Sequence, residues 1–326
     1  MRRFHLRDAG AHRPHQRQRT LQAGRVLKNF QRKFFMNPLV MHFGSGWSFY
    51  SGIGLILFSV LLSFFDKNLL VKIIFRVGLL VGLIGIFTAS IPLPFLPSII
   101  LVAIFFLLVL VHLENDTVKK AVILLKVVLA MLCVTAALVE GTHWIVPRIP
   151  AGNFDKLYVV GDSISAGIGF QGEKRWTDVI QQKYGIKTVN LAVGGAVFST
   201  ALSSADGIKD EKAFVLLEIG GNDILRRFPL RQFREDMEKL LKKVCLPGRT
   251  VVMFEVPLPP FSSAFCSVQR ELCKKYGVYL VPRRVFSGFI TGDARSADGL
   301  HLSNYGHERM ADGVWNIVKE GFAGRK

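Results

Sequence analysis

The sequence predicts an α/β domain, a three-layer α/β/α sandwich built on a mostly parallel five-stranded sheet, preceded by about four transmembrane helices. Two observations lead there. Hydrophobic residues make up 50% of the 326 residues, and their excess lies between Trp47 and Val139. After Lys156 the pattern changes to short apolar runs alternating with amphipathic ones, as strands alternating with helices would give.

Residues 1–46 form a basic tail and juxtamembrane segment. About half of the formal net charge of +18 lies in residues 1–35, rich in Arg, His and Gln with little apolar clustering, so this stretch is expected to be disordered. The remaining basic residues form no stripe interleaved with aromatics, which argues against nucleic acid as a partner. Residues 47–140 form the transmembrane region. Four apolar runs, 47–65, 77–95, 96–113 and 121–139, each approach the roughly 20 residues that a helix needs to cross a bilayer. Trp47 and Tyr50 suit the interfacial aromatic belt. Because a cation at a helix centre costs about 2.5 to 3.5 kcal/mol on the insertion scale, Lys72 and Arg76 are assigned to the loop before the second run, and Lys126 is expected to snorkel from the fourth.

Residues 141–152, with Gly141, Pro147 and Pro150, read as a linker, and residues 153–326 as the α/β domain. Its strands are expected near 157–160, 188–193, 214–219, 251–256 and 278–281, and its helices near 175–184, 230–244, 264–276 and 304–319. In open parallel sheets the functional site lies beyond the carboxyl ends of the strands.

Candidate chemistry falls at those ends. Val160-Gly161-Asp162-Ser163 puts a serine in a strand-to-loop turn, where a nucleophile would be exposed. A neutral serine needs a positioned base. Of eight histidines, three lie in the tail and His42, His112 and His143 border the apolar runs. His301 follows Asp298 at turn spacing, so that the carboxylate can orient the imidazole, whereas His307 is expected on the surface of the last helix. Donors for a developing oxyanion could come from the glycine loop after Asn190, at Gly194 or Gly195, and from Asn222 behind Gly220-Gly221. The four cysteines (Cys133, Cys245, Cys266 and Cys273) have neither disulfide-framework nor metal spacing and are expected to be reduced core residues; no metal or other cofactor is implied.

In combination, these four segments resemble the blocks of the SGNH (GDSL-like) hydrolase superfamily over about residues 153–320, nearest its thioesterase/lysophospholipase-like branch. The resemblance implies Ser163, Asp298 and His301 as a catalytic triad, with the Ser163 and Gly195 N–H groups and the Asn222 side chain forming the oxyanion hole. Many relatives carry proline soon after the histidine; here Ser303 stands ready to cap the last helix instead. The implied activity is hydrolysis of an ester or thioester of a lipid or an acylated envelope molecule. O-acetyl groups of envelope polysaccharide are an alternative substrate, and a non-catalytic membrane binding or transport component is an alternative of another class. The expected partners are thus a small-molecule or lipid ester and the bilayer, in a multi-pass membrane protein. Lys67, Lys72, Arg76, Lys119 and Lys120 in the loops point to an extracytoplasmic domain. The basic tail points to the cytoplasmic alternative, unless translation starts at Met36.

Overall fold

A computed structural model describes residues 38–65, 68–93, 95–110, 116–167, 172–291, 294 and 301–324. The basic tail through residue 37 and Asp298 lie outside the described residues.

The N-terminal half is helical: α1 (Pro38–Gly44), α2 (Trp47–Phe65), α3 (Leu69–Thr88), α4 (Phe95–Leu110) and α5 (Asp116–Thr142). Three of these, α2, α3 and α5, are long and apolar enough to cross a membrane. The 16 residues of α4 reach only about 24 Å at the helical rise, against roughly 30 Å of hydrocarbon, so a fourth crossing is not secured by length. The second apolar helix also starts eight residues before the expected run. Asn68 caps it by accepting from Val71 N at 2.8 Å, which places Lys72 and Arg76 in its first two turns rather than in the loop. Near a helix end such long side chains can reach the interface. Lys126 lies 5.1 Å from the ring centroids of both Phe64 and Phe75, where their π faces receive its charge.

Helices α2 and α3 cross with almost nothing between them. A Cβ on Gly52 would lie 2.5 Å from Gly82 O, and one on Gly85 would lie 2.9 Å from Ser48 O. Small residues at a helix crossing let the backbones approach, and dispersion then acts over the whole contact. The outward faces carry exposed Phe58, Leu61, Leu69, Val77 and Ile84, apolar surface that water would not cover favourably.

The C-terminal half contains β1 (Lys156–Gly161), α6 (Ser163–Ala166), α7 (Trp176–Tyr184), β2 (Lys187–Asn190), α8 (Phe198–Ser204), β3 (Phe214–Glu218), α9 (Gly221–Leu225), α10 (Leu230–Val244), β4 (Thr250–Phe254), α11 (Ser263–Lys275), β5 (Tyr279–Val281), α12 (Arg283–Phe289) and α13 (Asn304–Val318). The five strands pair in parallel in the order β2-β1-β3-β4-β5. Side chains alternate across the pleat. Tyr158, Val160, Val215 and Leu217 face a core shared with α8, α10 and α11, while Leu157, Val159, Phe214 and Leu216 face one shared with α7, α12 and α13. Both faces being covered, the central strands β1, β3 and β4 are apolar over most of their length, whereas the edge strand β2 is largely polar and only half-buried; each fully buried large side chain contributes about 1.5–3 kcal/mol.

The last helix corrects one expectation. His307 is 1% exposed, not a surface residue. It shares the inner stripe with Met310, Ala311, Val314 and Val318, all buried, at the helical spacing of three, four, seven and eleven. Its Nδ1 accepts from Trp176 N at 3.2 Å, and Nε2 lies 3.4 Å from Glu173 Oε1. Burial lowers the imidazole pKa, against the pull of Glu173.

The α2–α3 crossing is tested by paired substitutions. Gly52→Leu should lower the temperature at which the detergent-solubilised chain aggregates. Gly54→Leu, at a position with nothing within 4 Å of the new Cβ, should leave it unchanged.

Candidate active site

Because every strand is parallel, every carboxyl end lies on one edge of the sheet, and the candidate residues collect there. Ser163 opens α6 directly after β1 and is half-buried. Asp162 caps that short helix, its Oδ1 accepting from Ile164 N at 3.0 Å. The turn after β2 is closed by Ala196 N donating to Val193 O at 3.0 Å, with Gly195 at φ +72°, a conformation that disfavours any residue with a Cβ. Of the two candidate glycines, Gly195 is the one held in place: Arg226 Nη2 donates to its carbonyl at 2.8 Å. Among the described residues, the N–H groups of Ser163 and Gly195 have no hydrogen-bond partner, which leaves them available as donors.

Asn222 lies in the first turn of α9. Its Nδ2 donates to Asp162 Oδ2 at 3.1 Å and to Ala196 O at 3.0 Å, tying the loops after β1, β2 and β3 together. Both amide hydrogens are thus engaged, and service to an oxyanion requires exchange of one of these partners. His301 is half-buried in the segment leading to α13. That segment is pinned by Ser303, which caps α13 by accepting from Gly306 N at 3.1 Å and donates its own N–H to Ala294 O at 2.9 Å. A Cβ on Gly306 would overlap that carbonyl at 1.9 Å, so only glycine permits the approach. The candidate base is therefore on the same edge as Ser163, and its imidazole is close enough to Asp162 to favour the charged carboxylate.

Residues without an assigned role in the sequence reading complete the site. Beneath the nucleophile turn lies a buried pair of carboxyl groups. Glu218 Oε2 accepts from Ser165 Oγ at 2.8 Å, and Trp176 Nε1 donates to the same hydroxyl at 3.2 Å. Burial raises the Asp162 pKa to about 6, opposed by the Ile164 N–H and by His301. Burial and then the Asp162 charge push Glu218 well above its ordinary value. Like charges so close cannot both ionise cheaply, so folding favours a proton held within the pair, and Asp162 Oδ2 orients Asn222. The visible signal in the sequence was a lone acid ending the otherwise apolar run Phe214-Val215-Leu216-Leu217-Glu218. Asn190 adds a further brace, donating to Ser165 O at 2.7 Å and accepting from Ala192 N at 3.1 Å.

The three remaining cysteines of this half are free, with Cys266 and Cys273 buried and Cys245 half-buried. No group of three or more His, Cys, Asp or Glu residues suited to a metal ion occurs among the described residues.

Residues 159–309 match the GDSL-like lipase/acylhydrolase family. Residues 159–309 thus form a GDSL-like lipase/acylhydrolase domain, a hydrolase acting on ester bonds. Among similar proteins, an esterase TesA of Pseudomonas aeruginosa is 28% identical over 176 residues, 50% of this chain and 87% of that one. A thioesterase 1/protease 1/lysophospholipase L1 of Escherichia coli strain K12 is 26% identical over 167 residues, 48% of this chain and 80% of that one. Among solved structures, the psychrotrophic esterase EstA of a Pseudoalteromonas species is 25% identical with a TM-score of 0.46, covering 51% of this chain and 97% of its own.

The carboxyl pair makes a stability prediction. Groups whose pKa is raised by folding bind protons more tightly in the folded state, so stability rises as the pH falls through their folded values toward the ordinary carboxylate range. Glu218→Gln removes one of the two acids. Chemical denaturation at about pH 5 and about pH 7.5 should show a smaller pH-dependent difference in the variant than in the wild type; an unchanged difference would mean that the pair does not share its proton as described.

Proposed function

We propose that the chain is a membrane-anchored serine acylhydrolase that cleaves an ester or thioester of a lipid or acylated envelope molecule. Ser163 is the nucleophile. His301 takes its proton as Oγ attacks the carbonyl carbon and returns it to the leaving alcohol or thiol; water then releases the acyl group by the same base. Asp298 orients the imidazole, and the N–H groups of Ser163 and Gly195 with the Asn222 amide stabilise the oxyanion.

One observation carries this reading: the edge of the sheet that bears Ser163, Gly195, Asn222 and His301 is also the edge turned toward the ends of the apolar helices. Leu258, beyond β4, donates its N–H to Gly44 O at 3.2 Å, and Arg283, beyond β5, donates to Ala89 O at 2.8 Å. A site so directed opens toward esters held at a bilayer. Exposed Val193, Leu225 and Phe261 on the loops of this edge favour an acyl chain over a glycan as the neighbour of the scissile bond. The helix directions support four crossings, with α4 as the third, and put Lys72, Arg76, Lys119 and Lys120 at the end away from the hydrolase domain. Positive ends stay inside, which favours an extracytoplasmic site.

Ser163→Ala should abolish hydrolysis of p-nitrophenyl esters, and Asn222→Ala should cut turnover by roughly 10²-fold with KM nearly unchanged; wild-type turnover in Ser163→Ala would end the mechanism. An alkaline phosphatase fused after Lys326 should be active in cells. An inactive, stably made fusion would put the domain on the cytoplasmic face.

A further inference from the structure

Between the helical half and the hydrolase domain lies a chain of buried charges that takes no part in the chemistry above. Glu140, near the end of α5, is 4% exposed and receives both terminal nitrogens of Arg270 of α11, each at 2.7 Å. The same guanidinium donates through Nε to Glu255 Oε1 at 2.8 Å, and Glu255 Oε2 accepts from Arg283 N at 3.1 Å. Burial alone would raise the Glu255 carboxyl, but Arg270 and Arg283 outweigh it and hold it below the usual range. Arg283 is 3% exposed, and its guanidinium donates to the carbonyls of Ala89, the C-cap of α3, and of Ser90 just beyond it, at 2.8 and 3.5 Å, next to the negative pole of the helix dipole.

The helical half is shaped around this contact. Ser90 takes φ +55°, uncommon for a residue with a Cβ, and in that pose its Oγ donates to Pro259 O at 2.6 Å and accepts from Ser262 N at 2.9 Å. Gly46 has no side chain where one would strike the Arg283 guanidinium, 2.9 Å from the added Cβ. On the other flank Arg284 donates to Trp144 O at 2.8 Å.

We propose that Arg270 and Arg283, with Glu140 and Glu255, are positioning residues that lock the hydrolase domain against the helix ends, so that its site meets esters embedded in the bilayer. The argument is one of geometry and desolvation. Paired arginine and carboxylate forks fix orientation as well as distance, and each charge is buried on the assumption that its partner across the junction is there. A flexible tether would need none of this. The proposal rests on the membrane-ester hydrolase reading given above.

The test uses the full chain in vesicles, assayed on a soluble p-nitrophenyl butyrate and on a fluorogenic long-chain phospholipid ester built into the bilayer. Glu140→Gln keeps the size of the side chain and removes its charge; Gly46→Ala, also in the helical half, strains a backbone at φ +88° and presses on the Arg283 guanidinium without touching a carboxylate. For both, turnover of the soluble ester should stay near wild type, while turnover of the embedded ester falls by about tenfold or more. Equal loss on both substrates, or loss on neither, would overturn the positioning role. If Glu140→Gln fails to fold, Gly46→Ala alone decides between these outcomes. A wild-type chain inert on both esters would instead reject the hydrolase reading and leave the junction to be judged by limited proteolysis, in which both variants should be cut between the halves faster than the wild type.

Discussion

The constraint on which the rest of the structure depends is that all five strands run in one direction. A parallel sheet gathers the carboxyl end of every strand on a single edge, and this chain uses that edge twice. The ends of β1, β2 and β3 bring Ser163, Gly195 and Asn222 within one constellation, and the ends of β4 and β5 carry the loops that meet the apolar helices. Turning one of these strands would move its loop to the far side of the domain. Catalytic geometry and orientation to the helices are thus consequences of the same topology, and neither can be altered without the other.

Within the site, the organising group is the Asp162 carboxylate rather than the serine beside it. One oxygen holds the turn of α6 and the other holds Asn222, so the carboxylate links the nucleophile turn to the candidate oxyanion donor. Burial and the Asp162 charge raise the Glu218 carboxyl beneath it well above its ordinary value, which favours a proton held within the pair. The cost of burying two acids is the usual one of a preorganised site, met by the packing of Trp176, Ser165 and Asn190 around them.

Much of this was legible in the sequence, and the parts that were not have physical reasons. The five strands are found by their apolar runs and the main helices by their amphipathic period, with bounds within a few residues. Gly-Asp-Ser and Gly-Gly-Asn-Asp stand at the ends of β1 and β3 as expected, and His301 stands in the segment before α13, while Asp298 lies outside the described residues. The start of α3 was not legible: hydropathy alone pushes Lys72 and Arg76 out of a helix, whereas the Asn68 cap and two turns of reach toward an interface bring them in. The polarity of His307 points to the surface, whereas its place in the 307, 310, 311, 314, 318 stripe buries it. The contacts of Arg270 and Arg283 with the helical half lay beyond sequence reading altogether, since both arginines sit among ordinary helical charges and those partners are 130 or more residues away.

The account stands on a serine at the end of β1 that is nucleophilic and open to substrate at the helix-facing edge. The most direct measurement is covalent labelling of the full chain in vesicles with a long-chain fluorophosphonate, followed by peptide mapping. The account predicts a single adduct, on Ser163, that heat denaturation before labelling abolishes. An adduct on Ser165 or elsewhere, or none on a folded chain, would contradict it.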